Sequence, residues 1–185
     1  MEMKLYMVLL GCKPEGRHTE QHDVFFGIAP ALKDLIPAFK NFWPEAKGKI
    51  HVDGWREVNY ANGYQVVITP KAEKSQEPTG ELYFINLGGY KKGEFEEFHY
   101  KLVIAADELS KALKIAKDTA FFKHTHFEGA NSHVDDKYGI DVDDIYTIEE
   151  ILATPFKNNY SIQLTPVTEA EEDPLHLGYF KLENL

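Results

Sequence analysis

The chain has 185 residues, of which 43% are hydrophobic and 13% aromatic, and its formal net charge is −10. This apolar content is ample for the packed core of one domain or of two small ones. The acidic charge argues against the basic surface that nucleic acids or anionic membranes require. A single cysteine excludes an intramolecular disulfide, and no apolar run approaches the roughly 20 residues that cross a bilayer. We therefore expect a cytoplasmic protein with no nucleic-acid or membrane partner.

The first 70 residues predict two strands, a helix and two further strands. Four stretches have the apolar pattern of strands: Lys4–Leu10, Glu20–Ala29, Lys49–Asp53 and Tyr64–Thr69. Between the second and third stretches, apolar residues recur at helical spacing from Pro30 to Pro44. Pro37 lies inside this segment and predicts a kink or two short helical pieces. The order of elements is ββαββ.

The glycine-containing stretch Gly11–Asp23 returns in degenerate form as Gly88–Tyr100. Both copies have a glycine, a second glycine five residues on and a Glu-x-His motif, at a constant offset (88 − 11 = 77 and 99 − 22 = 77). We therefore predict an α+β protein of internally duplicated ββαββ-type units, with mainly antiparallel sheets and a pseudo-twofold relation.

The duplication also predicts how the chain is divided. The predicted parts are a first repeat at residues 1–70, a polar linker at 71–80, and a second repeat at 81–185 with insertions near 123–131 and 141–159. We expect Tyr179–Leu182 to complete the sheet of the second repeat, because Tyr179-Phe180 matches Tyr83-Phe84 at the same offset that relates later strands. The repeats are expected to form one compact body.

Alternation along the strands turns one polar pair of each repeat away from the core. In residues 97–102, aromatic and aliphatic side chains alternate with polar ones, which points Glu97 and His99 outward. The offset of 77 gives Glu20 and His22 the same orientation (97 − 77 = 20 and 99 − 77 = 22).

A second outward pair follows from the strand around Val52. Burial of Val52 would turn His51 and Asp53 outward, and His133 and Asp135 repeat this pattern at an offset of 82 (133 − 51 = 82). Each repeat thus offers a Glu, two His and an Asp. Two imidazoles with carboxylates suit zinc, manganese or non-haem iron, and leave an open position for hydrolysis or oxygen chemistry.

Three interpretations of these residues remain open. The first is a soluble binding or interaction protein without catalytic residues, whose small polar ligand or protein partner occupies the outer sheet face or the space between repeats. Its predicted ligand-binding residues are Arg17, His18, Glu20, His22, His51, Asp53, Glu97 and His99. The alternative is a hydrolase or oxygenase that uses a divalent metal, with ligands drawn from Glu20, His22, His51, Asp53, His133 and Asp135. In the third, the pairs only form hydrogen bonds at strand edges and no cofactor is bound.

Cys12 is a separate candidate for chemistry. It lies in the predicted turn beside Lys13, where backbone amides and nearby cations would lower the pKa of the thiol and create a nucleophile. The second repeat has Gly89 at this place (12 + 77 = 89), so the scaffold does not require sulfur. A packed thiol is the favoured interpretation.

Several segments of the first repeat carry a family resemblance. They are Lys4–Cys12, Gly16–Ile28, Lys33–Pro37 and Ile50–Val58. Together they resemble a bacterial family, the domain of unknown function numbered 1543, over about Lys4–Ile68, with the second repeat as a divergent copy. The resemblance implies a bacterial, cytoplasmic domain in one or two copies and no particular activity. Because Glu94 and Phe95 replace Arg17 and His18, any function of that pair belongs to the first repeat.

Overall fold

The computed structural model describes residues 2–73, 80–90, 93–125, 141–169 and 171–185. It confirms a mixed α+β protein with mainly antiparallel sheets. The chain divides into two compact units, of which unit 1 comprises Met1–Gln76 with Ile151–Leu185, and unit 2 comprises Glu77–Glu150. Among the described residues, no helix has the length and apolar character needed to cross a membrane.

The elements of both units are as follows. The strands are β1 (Lys4–Cys12), β2 (Gln21–Ala29), β3 (His51–Glu57), β4 (Tyr60–Ala61), β5 (Tyr64–Pro70), β6 (Glu81–Tyr90), β7 (Glu97–Ala106), β8 (Asp141–Thr147), β9 (Tyr160–Pro166) and β10 (His176–Lys181). The α-helices are α1 (Ile36–Phe42), α2 (Leu109–Thr125), α3 (Ile148–Ile151) and α4 (Thr154–Asn159). Short 3-10 helices lie at Leu32–Leu35, Pro44–Ala46, Lys71–Glu73 and Leu182–Asn184.

The core of unit 1 lies on one face of a four-stranded sheet with the order β10-β3-β1-β2. Alternate residues of β1 enter this core: Tyr6, Val8, Leu10 and Cys12. The segment predicted as a helix forms two short pieces, Leu32–Leu35 and α1, which meet just before Pro37. Phe39 of α1 is fully buried and meets the ring of Phe25 edge-on, with centroids 5.1 Å apart. Because strand residues alternate between faces, Gly11 belongs to the opposite face of the sheet.

The second sheet of unit 1 joins segments that are distant in the sequence. Its order is β4-β5-β9, and β5 pairs with β9 from Tyr64 with Pro166 to Pro70 with Tyr160. The buried carboxylate of Asp173 accepts hydrogen bonds from the backbone N–H groups of Asn59 and Tyr60 at 3.0–3.2 Å. These bonds attach the segment before β10 to the start of β4.

The strand β10 differs from its sequence prediction. It pairs with β3 of unit 1, with Phe180 opposite Val52 and Lys181 opposite His51, so the expectation that it completes the sheet of the second repeat is wrong. Residues 151–185 pack with the first 76 residues, whereas the sequence placed them in the second repeat. A local pattern such as Tyr-Phe identifies a strand but does not select its partner, because pairing depends on which sheet edge is free.

Unit 2 has a three-stranded sheet with the order β7-β6-β8. Helix α2 packs against it, and Ala112 and Ala116 of this helix are fully buried among the aliphatic residues of β6 and β7. These small side chains allow the helix backbone to approach the sheet closely.

The two sheets have the same pairing registers around one glycine. In unit 1 Gly11 lies opposite His22 of β2 and His51 of β3. In unit 2 Gly88 lies opposite His99 of β7 and Asp141 of β8. The offsets are constant, at 77 for the glycines and histidines of the hairpins and 90 for the third strand (141 − 51 = 90).

Each sheet also has an irregularity next to this glycine. In β3 the register shifts between the partners of Leu9 and Leu10, which leaves Asp53 as an extra residue. The shift between the partners of Asn86 and Leu87 leaves Asp143 extra in β8. Such a bulge bends the strand and redirects the side chain of the extra residue.

These registers correct one sequence prediction. The equivalents of His51 and Asp53 in unit 2 were expected at His133 and Asp135, but β8 occupies that place in the sheet with Asp141 and Asp143. His133 and Asp135 lie outside the described residues. The His-Val-Asp tripeptide recurs at residues 133–135, but a short repeat of this kind does not determine which segment forms the third strand, because that strand contains no glycine equivalent to Gly11 or Gly88.

Candidate metal centre

Gly11 marks the place where three strands of unit 1 bring polar side chains together. It lies on the central strand β1, between His22 on β2 and His51 on β3. A Cβ atom at this position would collide with the carboxylate of Asp53 and with the imidazole of His51. Glycine therefore leaves the space in which side chains from both neighbouring strands meet.

The four side chains predicted to face outward in the first repeat converge above Gly11. We call Glu20, His22, His51 and Asp53 cluster 1. His51 Nε2 lies 3.0 Å from Glu20 Oε1 and 3.3 Å from Asp53 Oδ1. His22 Nε2 lies 3.2 Å from Asp53 Oδ2 and 3.8 Å from Glu20 Oε2. Each carboxylate thus lies between the two imidazoles and directs one oxygen to each of them.

Cluster 1 is closed on one side and open on the other. The ring of Tyr179, on β10, covers the imidazole of His51 with centroids 4.3 Å apart. His51 therefore lies on the outer sheet face as predicted but is buried, with only 8% of its side chain exposed. The side chains of Glu20 and His22 are 44% and 43% exposed. Solvent reaches the cluster from their side.

Each histidine–carboxylate distance in cluster 1 lies in the range that separates neighbouring donors around a metal ion, with each carboxylate using a different oxygen toward each imidazole. With bonds of about 2.1 Å, neighbouring donors are about 3.4 Å apart in a tetrahedral site and about 3.0 Å apart in an octahedral one. The observed distances of 3.0–3.8 Å include both values. Buried polar atoms almost always have a partner. Yet His51 Nε2 and Asp53 Oδ2 have no partner with hydrogen-bond geometry in the described part of the chain.

In unit 2, three exposed side chains gather above Gly88. We call Glu97, His99 and Asp143 cluster 2, in which one donor atom of each residue lies within 4.8 Å of the others. His99 Nε2 is 3.2 Å from Asp143 Oδ2. A Cβ atom on Gly88 would collide with the Asp143 carboxylate. The hydroxyl of Tyr90 donates a hydrogen bond to Glu97, which raises the pKa of that tyrosine.

The structure does not bring all predicted ligand-binding residues together. Arg17 and His18 are exposed in the loop before Glu20, and within the described residues their side chains form no hydrogen bond or ion pair with cluster 1. Asp143 and Tyr179 are the residues that the sequence did not indicate. Asp143 had a signal, since Asp141-Val142-Asp143 repeats the x-Val-Asp pattern of β3. Tyr179 had none, because its position depends on the pairing of β10 with β3.

The environment of Cys12 supports a packed thiol. Its side chain is fully buried in the core of unit 1, on the face opposite cluster 1. Burial raises the pKa of the Cys12 thiol, and the negative charge of Glu20 raises it further. Both effects reduce the fraction of thiolate, so the structure does not support Cys12 as a nucleophile.

We expect Cys12 to be protected from a thiol reagent in the folded protein. Since the raised pKa lowers the thiolate fraction at pH values below it, and since burial blocks access, the native protein should react with a disulfide reagent far more slowly than the protein in guanidinium chloride. The release of the coloured thiolate from the reagent measures this directly, because the chain has a single cysteine. Equal rates in the two conditions would contradict the buried position.

The molecule is thus an antiparallel α+β protein with a histidine and carboxylate cluster above a glycine of the central strand. Residues 17–68 match the model of a family described as Domain of Unknown Function (DUF1543). This segment contains all of cluster 1 but not β1. The crystal structure of a protein Il1583 from Idiomarina loihiensis is similar over 98% of each chain, with a TM-score of 0.61 and 22% identity, which shows a shared fold. No curated protein matches the chain.

Proposed function

We propose that the protein is a metal-dependent binding protein in which cluster 1 holds one divalent transition-metal ion. The observation that carries this proposal is the convergence of two imidazoles and two carboxylates at 3.0–3.8 Å around the unpartnered His51 Nε2. A cation among these atoms supplies the missing partner and offsets the repulsion between the two carboxylates. The contacts of His51 Nε2 with Glu20 and Asp53 have ion-pair distances but not hydrogen-bond geometry.

The donor set favours a particular class of ion. Imidazole nitrogen suits zinc, iron, nickel and copper, whereas a site of oxygen alone suits magnesium or calcium. Two nitrogen and two oxygen donors at these spacings fit Zn²⁺, which has no geometric preference of its own and accepts either four or five ligands. Zn²⁺ is therefore the ion with which we would test cluster 1.

The solvent side of cluster 1 is the proposed place for a small polar ligand. Glu20 and His22 line this side and remain about half exposed. A ligand oxygen could complete the coordination of the ion there, while Tyr179 closes the opposite side over His51. Arg17 and His18, in the loop that leads to Glu20, are available as further donors to the ligand.

A metal-dependent hydrolase is the second candidate function. It is favoured by the exposure of Glu20, since a carboxylate beside a metal-bound water is suited to accept its proton. The two functions differ in turnover. The test is whether zinc-loaded protein hydrolyses an activated phosphate diester. Hydrolysis by the wild-type protein that is lost in His51→Gln would favour the hydrolase over the binding protein.

The first test of the proposal is zinc titration by calorimetry on protein without a histidine tag. We expect one tight equivalent of Zn²⁺ in unit 1, weakened at least about 100-fold in His51→Gln, because the variant loses a buried ligand. His18→Gln is the matched control, since His18 is exposed in the adjacent loop and its side chain forms no hydrogen bond or ion pair with cluster 1 in the described residues. Equal zinc affinity in His51→Gln and the wild-type protein would disprove the proposed site.

The cellular setting and the origin of the two units are part of the same proposal. A single reduced cysteine in the core supports a cytoplasmic protein. The shared registers around Gly11 and Gly88 support an internal duplication, and the resemblance of Lys4–Ile68 to a bacterial family implies a bacterial source. In this view cluster 1 and cluster 2 descend from one ancestral site.

A further inference from the structure

We propose that cluster 2 is a metal site in its own right, which takes Mn²⁺ and holds it weakly. The site consists of Glu97, His99 and Asp143 in unit 2. The inference rests on the geometry of unit 2 alone and does not require that cluster 1 be occupied.

The three donors of cluster 2 fit around one ion. With bonds of about 2.2 Å, two donors on opposite sides of an ion are about 4.4 Å apart, and neighbours are closer. One donor atom from each residue lies within 4.8 Å of the other two, and His99 Nε2 is 3.2 Å from Asp143 Oδ2. A small inward movement of exposed side chains brings all three to coordination distance.

The backbone of unit 2 supports this arrangement. Gly88 leaves the central strand without a side chain directly below Asp143, and the bulge in β8 makes Asp143 the extra residue that turns toward β7. A bulge and a glycine at matching positions both weaken a sheet. Their presence next to His99 is explained if the space above Gly88 is needed for a bound ion.

Two further groups adjoin the site. The Tyr90 hydroxyl donates a hydrogen bond to Glu97 and so orients this carboxylate. Asn86 lies two residues before Gly88, on the same face of β6, and its Oδ1 atom is buried without a hydrogen-bond partner among the described residues.

The donor set determines the expected ion. Cluster 2 has one imidazole and two carboxylates, where cluster 1 has two of each. Carboxylate and water ligands suit manganese, and a single nitrogen is not enough to favour zinc strongly. Because all three residues are exposed, the ion keeps several waters and its attraction to the carboxylates is screened by salt. We therefore expect weak, salt-dependent binding of Mn²⁺ at cluster 2.

The test is a Mn²⁺ titration followed by electron paramagnetic resonance, in which the signal of free Mn²⁺ falls as the ion binds. It uses Gly11→Ala protein, so that cluster 1 is disabled and cannot contribute. We expect one equivalent of Mn²⁺ to bind, and the additional change His99→Gln to weaken binding at least about tenfold. Gly88→Ala in the same background should weaken it similarly.

Two results would overturn this inference. One is no loss of the free Mn²⁺ signal in Gly11→Ala protein at millimolar protein concentration. The other is Mn²⁺ binding that neither His99→Gln nor Gly88→Ala changes. Because His99 and Gly88 are outside unit 1, these outcomes are independent of the zinc titration that tests cluster 1, and circular dichroism of each variant verifies that it is folded.

Discussion

Replacement of Gly11 by alanine is expected to reduce the zinc affinity of unit 1 at least about 100-fold. The added Cβ atom would occupy the space that His51 Nε2 and Asp53 Oδ2 now fill, so both side chains must turn away and the four donors can no longer surround one point. The backbone itself accepts alanine, because Gly11 is a regular strand residue without a positive φ angle. The loss should therefore concern binding much more than folding.

Gly88→Ala is the matched control for this experiment. It introduces the same methyl group at the equivalent register position of unit 2, below Asp143. Calorimetric titration with Zn²⁺ should show nearly unchanged binding at cluster 1 in Gly88→Ala and greatly weakened binding in Gly11→Ala. If the two variants bound the zinc of unit 1 equally well, cluster 1 would not be its site.

Phe39→Ala is expected to have the largest effect on stability, lowering the free energy of unfolding of unit 1 by about 3–5 kcal/mol. Phe39 is completely buried, and its ring packs edge-on against Phe25. Its removal leaves a cavity between α1 and the sheet. Urea denaturation followed by tryptophan fluorescence measures unit 1 specifically, because Trp43 and Trp55 both lie there and pack against its core.

Phe42→Ala provides the comparison on the same helix. Phe42 also meets Phe25 edge-on, at 5.4 Å, but its side chain is 42% exposed. Its loss should cost less than about 1 kcal/mol, because solvent already covers much of the ring. Similar losses of stability in the two variants would show that the burial of Phe39 is not the main contribution of α1 to the free energy of unfolding of unit 1.

The sequence predicted those parts of the fold that depend on local patterns. Alternation in β7 gave the outward orientation of Glu97 and His99, and the constant offset carried it to Glu20 and His22. The same offset holds for the strand registers, because β1–β2 and β6–β7 are hairpins whose pairing is fixed by the turn between them. The structure accordingly brings Glu20 and His22 to the strand that carries His51 and Asp53.

The remaining features depend on pairings between distant segments. The burial of His51 follows from β10, and nothing in the sequence near His51 indicates that Tyr179 covers it. The third strand of unit 2 was expected near His133 and is formed by β8 instead. Its register depends on pairing with the edge of β6 and not on a turn, so the local sequence does not determine it. Local patterns thus predicted the outward orientation of the cluster 1 side chains, while only the fold shows which neighbours enclose them.

The pairing of β10 with β3 has a consequence for how cluster 1 is assembled during synthesis. All four donors and Gly11 emerge from the ribosome before residue 54, whereas Tyr179 follows 126 residues after Asp53 (179 − 53 = 126) and after the whole of unit 2. The nascent chain therefore presents His51 uncovered for several seconds at ordinary rates of translation. The proposed ion would have access from either side at this stage, whereas after β10 has paired it would have access from the side of Glu20 and His22.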